Sequence, residues 1–174
     1  MIFPEPTLFY TATIHQWKPL LYDDQFKEII ISSLRYLSEK NRIWVYCFVI
    51  MPNHIHLIVK ILENDKIKEN ALGSLLKFSA HQFKRNLVSK SPQILKTYWV
   101  DEDDRKYRFW SNSTHRLEIF TDEMFNQKAD YIHNNPVSGK WHLVDNPIDY
   151  YYSTARFYDQ NVDDFGFLHN YYLE

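Results

Sequence analysis

The chain has 174 residues, enough for one domain with a sizeable core. Its 45% hydrophobic and 24% charged content exclude a disordered or fibrous protein, and a net charge of −2 gives no overall attraction for a polyanion. The single Cys47 forbids an internal disulfide and suits a reducing compartment, while three glycines leave little room for glycine-rich phosphate loops. Met1-Ile2-Phe3-Pro4-Glu5 lacks the basic region of a signal peptide. No apolar run approaches the roughly 20 residues of a membrane span. A soluble, cytoplasmic protein is expected. Charge is unevenly spread: from Lys60 to Lys96 eight basic residues (Lys60, Lys66, Lys68, Lys77, Lys84, Arg85, Lys90, Lys96) face three acidic ones (Glu63, Asp65, Glu69), a local +5, whereas the tail from Asp145 is acidic.

In chain order, the β-branched and aromatic residues 8–14 predict a strand. Between Asp23 and about Asn41, Phe26, Ile29, Ile30, Leu34 and Leu37 recur at helical spacing, with Asp23 and Asp24 at the favourable end. Ile43–Ile50 reads as a central strand, Met51-Pro52-Asn53 as a turn, and His54–Ile61 as a second strand closing a hairpin. A second amphipathic helix, from Glu69 to about Leu87, buries Leu72, Leu75, Leu76, Phe83 and Leu87 and carries Lys77, His81, Lys84 and Arg85 on its other side. A solvated basic face is the commoner explanation for that pattern. Residues 92–104 read as a loop ending in Asp101-Glu102-Asp103-Asp104; Tyr107–Trp110 and His115–Phe120 read as short strands. Thr121 is a plausible N-cap for a third helix ending near Asn134, because the residue before Pro136 disfavours the α region. A short helix is expected around Tyr151–Tyr158, and no repeat or domain linker is evident, so 1–174 reads as one domain with its core at about 9–158 and a tail at 159–174.

Two features suggest chemistry. Alternation puts His54, His56, Ile58 and Lys60 on one face of their strand and the apolar Ile55, Leu57, Val59 and Ile61 on the other. The imidazoles then stand about 7 Å apart along the strand, close enough to share a metal with coordination positions to spare. A hydrogen-bonded surface pair gives the same pattern. On the third helix Ile132 continues the buried face of Phe125 and Ala129, leaving Tyr131 off that face with Asn135 one turn beyond. A phenol, with an ordinary pKa of about 10, needs help to act as a nucleophile, and a divalent cation could supply it; packing is the alternative role for any one of 13 tyrosines.

Together these segments are more specific. Val49-Ile50-Met51-Pro52-Asn53-His54-Ile55-His56-Leu57-Ile58-Val59, followed by Tyr131-Ile132-His133-Asn134-Asn135-Pro136-Val137, closely resembles the single-tyrosine HUH transposases. The similarity is to the REP-associated tyrosine transposases within the IS200-like group. Arg108-Phe109-Trp110 and Tyr152-Ser153-Thr154-Ala155-Arg156 also look like that branch, and the likeness runs from about Phe9 to Tyr158.

The resemblance implies an α+β fold, a ferredoxin- or RRM-like antiparallel sheet with helices packed on one face. It implies Mg²⁺ or Mn²⁺ on His54 and His56, with Asn135 as third ligand. Tyr131 would be the nucleophile that cleaves and rejoins single-stranded DNA through a 5′-phosphotyrosine. The implied partner is single-stranded DNA with a hairpin, bound by a homodimer or a monomer in a bacterial, nucleoid-associated setting. Lys77, His81, Lys84 and Arg85 would hold phosphates, and an exposed Trp110 would stack on bases. A histidine-triad hydrolase would need a third alternating histidine where Ile58 stands. A non-catalytic, domesticated nucleic-acid-binding module on the same fold is the other reading.

Overall fold

The computed structural model describes residues 6–62 and 70–173. In chain order the elements are β1 (Thr7–Thr13), α1 (Asp24–Glu39), β2 (Ile43–Met51), β3 (His54–Ile61), α2 (Ala71–Lys90), α3 (Pro92–Lys96), β4 (Trp99–Glu102), β5 (Arg105–Tyr107), β6 (His115–Ile119), α4 (Asp122–Asn134) and α5 (Ala155–Gln160). Strands β2-β3-β1-β6 form one antiparallel sheet in that order. With β6 in fourth place this is the ferredoxin-like arrangement, reached by two β-helix-β crossovers. The fold is therefore α+β, as the resemblance implies.

Local chemistry explains the elements. The Asp23 carboxylate accepts from Gln25 N to cap α1, whose Phe26, Ile30, Leu34 and Leu37 are buried. The Asn70 side chain caps α2 by accepting from Gly73 N; the Glu69 start read from the sequence lies outside the described residues, as do Glu63, Asp65, Lys66 and Lys68. Phe26 of α1 meets Phe83 of α2 edge to face, centroids 5.6 Å apart. These two helices cover the sheet face bearing Ile55, Leu57 and Val59, all at 0% exposure. The opposite face takes α4, whose Phe125 reaches Tyr46 of β2. Helices thus lie on both faces, and α4 partly roofs the face that alternation alone left open.

Three further readings change. Residues 92–104 are not a loop: Pro92 opens α3, and β4 and β5 form a hairpin turning at Asp103-Asp104, so the acidic run is a hairpin end. Only Tyr107 of the predicted strand 107–110 belongs to β5, and Trp110 makes an isolated bridge to Ile14. The short helix expected at 151–158 begins at Ala155.

The core also extends beyond Tyr158. Phe165 and Phe167 are buried against Phe48, and Leu168 bridges to Val45 on the free edge of β2. The Asp163 carboxylate holds the turn by accepting from Phe165 N, Gly166 N and Leu168 N, with Gly166 at φ 73°. Tyr171 then stacks on Phe125 of α4 at 3.7 Å and donates to Asp122, while Tyr172 hydrogen-bonds Asn126. Among the described residues no helix is long and apolar enough to cross a membrane.

Candidate active site

β3 sets His54 and His56 side by side on one face, ring centroids 4.7 Å apart. Register does the rest: Thr11 of β1 lies directly across from His56, and Thr13 from His54. His56 is 5% exposed, its Nδ1 is 2.7 Å from Thr11 Oγ1, and its Nε2 is buried with no partner. With Nδ1–H donating to the threonine hydroxyl, Nε2 keeps a bare lone pair. An orphaned buried acceptor is costly, and its presence here points to a group that the nitrogen is meant to bind.

His54 is held in the same way. Its Nδ1 stands 2.7 Å from Oδ1 of the buried Asn53, whose Nδ2 donates to Trp17 O at 3.4 Å. With Nδ1–H donating to Asn53 Oδ1, the shorter of the two contacts, Nε2 keeps the lone pair. Trp17 and its neighbour Gln16 both have positive φ, 58° and 57°, so the carbonyl meeting Asn53 belongs to a strained turn. Burial lowers the pKa of His54. Burial also pushes His56 down to about 3, with further lowering by the charges of His54, Lys128 and His115. Both rings are neutral near pH 7, the form that binds metals.

α4 supplies the remaining groups. Thr121 caps it by accepting from Met124 N, and Phe125, Ala129 and Ile132 are buried. Tyr131 falls off that face and is 52% exposed, its ring edge-on to His56 at 5.1 Å and to Phe9 at 6.1 Å. The helix ends at Asn134 as expected, but Asn135 keeps helical angles (φ −55°, ψ −44°) despite the following proline, because the chain continues as a 3₁₀ turn. That turn brings Asn135 Oδ1 within 3.2 Å of His54 Nε2. Two lone-pair atoms thus face each other, at about the 3 Å separating neighbouring donors around an octahedral cation with ligands at about 2.1 Å. Among the described residues there is no cluster of three His, Cys, Asp or Glu side chains; the donor set here is two imidazoles and an amide oxygen. His133, in the same motif, points inward, with Nε2 2.9 Å from Thr154 Oγ1, and burial pushes it down to about 4.

Lys77, His81 and Lys84 line a groove of about 740 Å³ between α2 and the β4–β5 hairpin, across from Arg105, Lys106 and Arg108. Arg85, although exposed, is not among the residues lining it. Trp110 is a correction: it is 7% exposed, donates through Nε1 to the buried Ser79 Oγ at 3.0 Å, and packs on Phe83. Its indole completes the core beneath the groove and is not a free stacking platform; Trp99 on the hairpin, 54% exposed, is the more available ring.

Four residues near the site escaped the sequence reading. Thr11 and Asn53 orient the imidazoles. Lys128 lies one turn before Tyr131, its Nζ 5.0 Å from the Phe9 ring centre and 6.0 Å from that of Tyr131. His115 of β6 lies across from Thr11 and 6.3 Å from the Phe9 ring. The i, i+3 spacing on a helix could have revealed Lys128, and Asn53 adjoins His54 in sequence; Thr11 and His115 need the strand register.

No family model matches the chain, and no curated protein matches it. Among solved structures, a REP-associated tyrosine transposase bound to a REP hairpin superposes with a TM-score of 0.61 at 18% identity, over 98% of this chain and 89% of that one. A Deinococcus radiodurans R1 structure named for a transposase aligns over 77% of this chain and 92% of its own, at 19% identity and a TM-score of 0.46. At 18% identity the first likeness establishes a shared fold.

Proposed function

We propose that the protein is a transposase of the REP-associated tyrosine type, a single-strand DNA endonuclease and strand transferase. The observation that carries this reading is the convergence on one sheet face of an exposed phenol, Tyr131, and a buried imidazole, His56, whose Nε2 has no partner. His54, His56 and Asn135 would hold a divalent cation, and the imidazole-rich set favours Mn²⁺ over Mg²⁺. Such an ion would polarise the scissile phosphate and stabilise the charge that develops on it.

The chain's own residues account for the remainder. Thr11 and Asn53 fix the two tautomers, and α4 presents the phenol to solvent where a strand can reach it. The exchange balances without an energy source: the Tyr131 Oη–P bond forms, the P–O3′ bond breaks, and the phenolic proton is matched by one gained at the 3′-oxygen. The product is a 5′-phosphotyrosine and a free 3′-hydroxyl, and the reverse attack rejoins the strand. A hairpin-bearing single strand is the proposed substrate, its phosphates lying in the groove lined by Lys77, His81 and Lys84.

The test uses a labelled single-stranded oligonucleotide carrying the hairpin of inverted repeats beside the gene. With Mn²⁺ a denaturation-resistant protein–DNA adduct should form, and Tyr131→Phe or chelation should abolish it. Binding without adduct in any metal would replace this reading with a non-catalytic module.

A further inference from the structure

The catalytic face holds a cation that the proposed metal chemistry leaves unused. Lys128 is half-buried, and its ammonium lies over two rings, those of Phe9 and Tyr131. Among the described residues no ion pair includes it. A half-buried ammonium ordinarily gains a carboxylate to offset lost hydration. His115 stands by the same Phe9 ring, the two ring centroids 6.3 Å apart. The site therefore carries an ammonium outside any ion pair on the side of the phenol away from Asn135, which follows Tyr131 by one turn while Lys128 precedes it.

Resting on the nuclease reading above, we propose that Lys128 is a catalytic residue: its ammonium binds a non-bridging oxygen of the scissile phosphate beside Tyr131, with His115 lining the same anion site. As the Tyr131 Oη–P bond forms and the P–O3′ bond breaks, negative charge builds on the non-bridging oxygens. A cation placed beforehand at those oxygens lowers that barrier without reorganising. Lys128 neither gives nor takes a proton in this step. The Phe9 ring, 5.0 Å from the ammonium, holds it beside the phenol.

The experiment measures single-turnover adduct formation on the hairpin oligonucleotide with saturating Mn²⁺, comparing the wild-type chain with Lys128→Met and Lys128→Arg. Each is run on a normal scissile phosphate and on a neutral methylphosphonate at that position. On the phosphate, Lys128→Met should slow the adduct about 100- to 1000-fold, the range typical of losing one preorganised donor, and Lys128→Arg should recover much of it. Mn²⁺ affinity, measured without DNA, should change less than twofold. On the methylphosphonate, which lacks the charge to be neutralised, the loss should shrink to under threefold. Equal losses on both substrates, or no loss on either, would overturn the role of Lys128 while leaving the nuclease reading intact. Absence of any adduct from the wild-type protein would overturn both.

Discussion

Replacing Thr11 by valine removes one hydroxyl while keeping volume and β-branching, and so isolates the contact that orients His56. In the native protein the hydroxyl accepts from Nδ1 at 2.7 Å in a site where the ring is 5% exposed. Without it, the ring either buries an unpaired N–H, at a cost of about 1–3 kcal/mol, or moves its proton to Nε2. The first outcome lowers the melting temperature by about 2–4 °C per kcal/mol in a chain of this size. The second blocks the nitrogen proposed to bind metal, and losing such an outer partner weakens metal affinity about 10- to 100-fold. Urea unfolding, Mn²⁺ titration and the ¹⁵N shifts of the His56 ring would measure all three quantities, with Thr11→Ser as the control that keeps the acceptor. A valine variant with native stability, native Mn²⁺ affinity and an unchanged Nδ1–H tautomer would refute the role assigned to the hydroxyl.

Acid should destabilise the apo protein well before its carboxylates titrate. Burial holds His56 down to about 3 and His133 to about 4, below the ordinary histidine value of about 6.5. The unfolded chain therefore takes up protons first, so stability is complete above about pH 6.5 and falls as pH drops toward the folded values. Each histidine contributes a loss of about 1.4 kcal/mol per pH unit in that window. Urea midpoints at pH 7.5, 6 and 5 would show it, His133→Gln should flatten the slope by one histidine's share, and a constant stability over that range would contradict the burial argument. In the groove, Lys84→Gln should weaken single-stranded DNA binding and lower its salt slope by about 0.7. Arg85→Gln, outside the groove, should leave that slope unchanged; the reverse result would move the DNA path to the other side of α2.

Periodicity exposed the elements whose one face is uniformly apolar. β3 is bounded at His54 and Ile61 as read, because strict alternation and the Pro52 turn leave no other register. α4 was legible from its Thr121 cap and the spacing of Phe125, Ala129 and Ile132. The β4–β5 hairpin was not, because its turn residues continue an acidic run and its strands are short and largely exposed. Trp110 looked free because Ser79, which accepts from its indole, belongs to α2, 31 residues away in sequence. The two histidines and the tyrosine were readable as motifs. Thr11 and His115 were not, since their place beside His56 depends on which strands pair and in what register.

The ring of Tyr171 lying flat against Phe125 has a bearing on gene decay. A truncated copy ending after Gln160 would still encode both histidines, the tyrosine and Asn135, and would pass any inspection of motifs. Its α4 would nonetheless have lost the aromatic clasp that seats the helix, and β2 would have lost the bridge from Leu168 to Val45. Whether such a copy remains competent is thus written in a stretch that bears none of the chemistry.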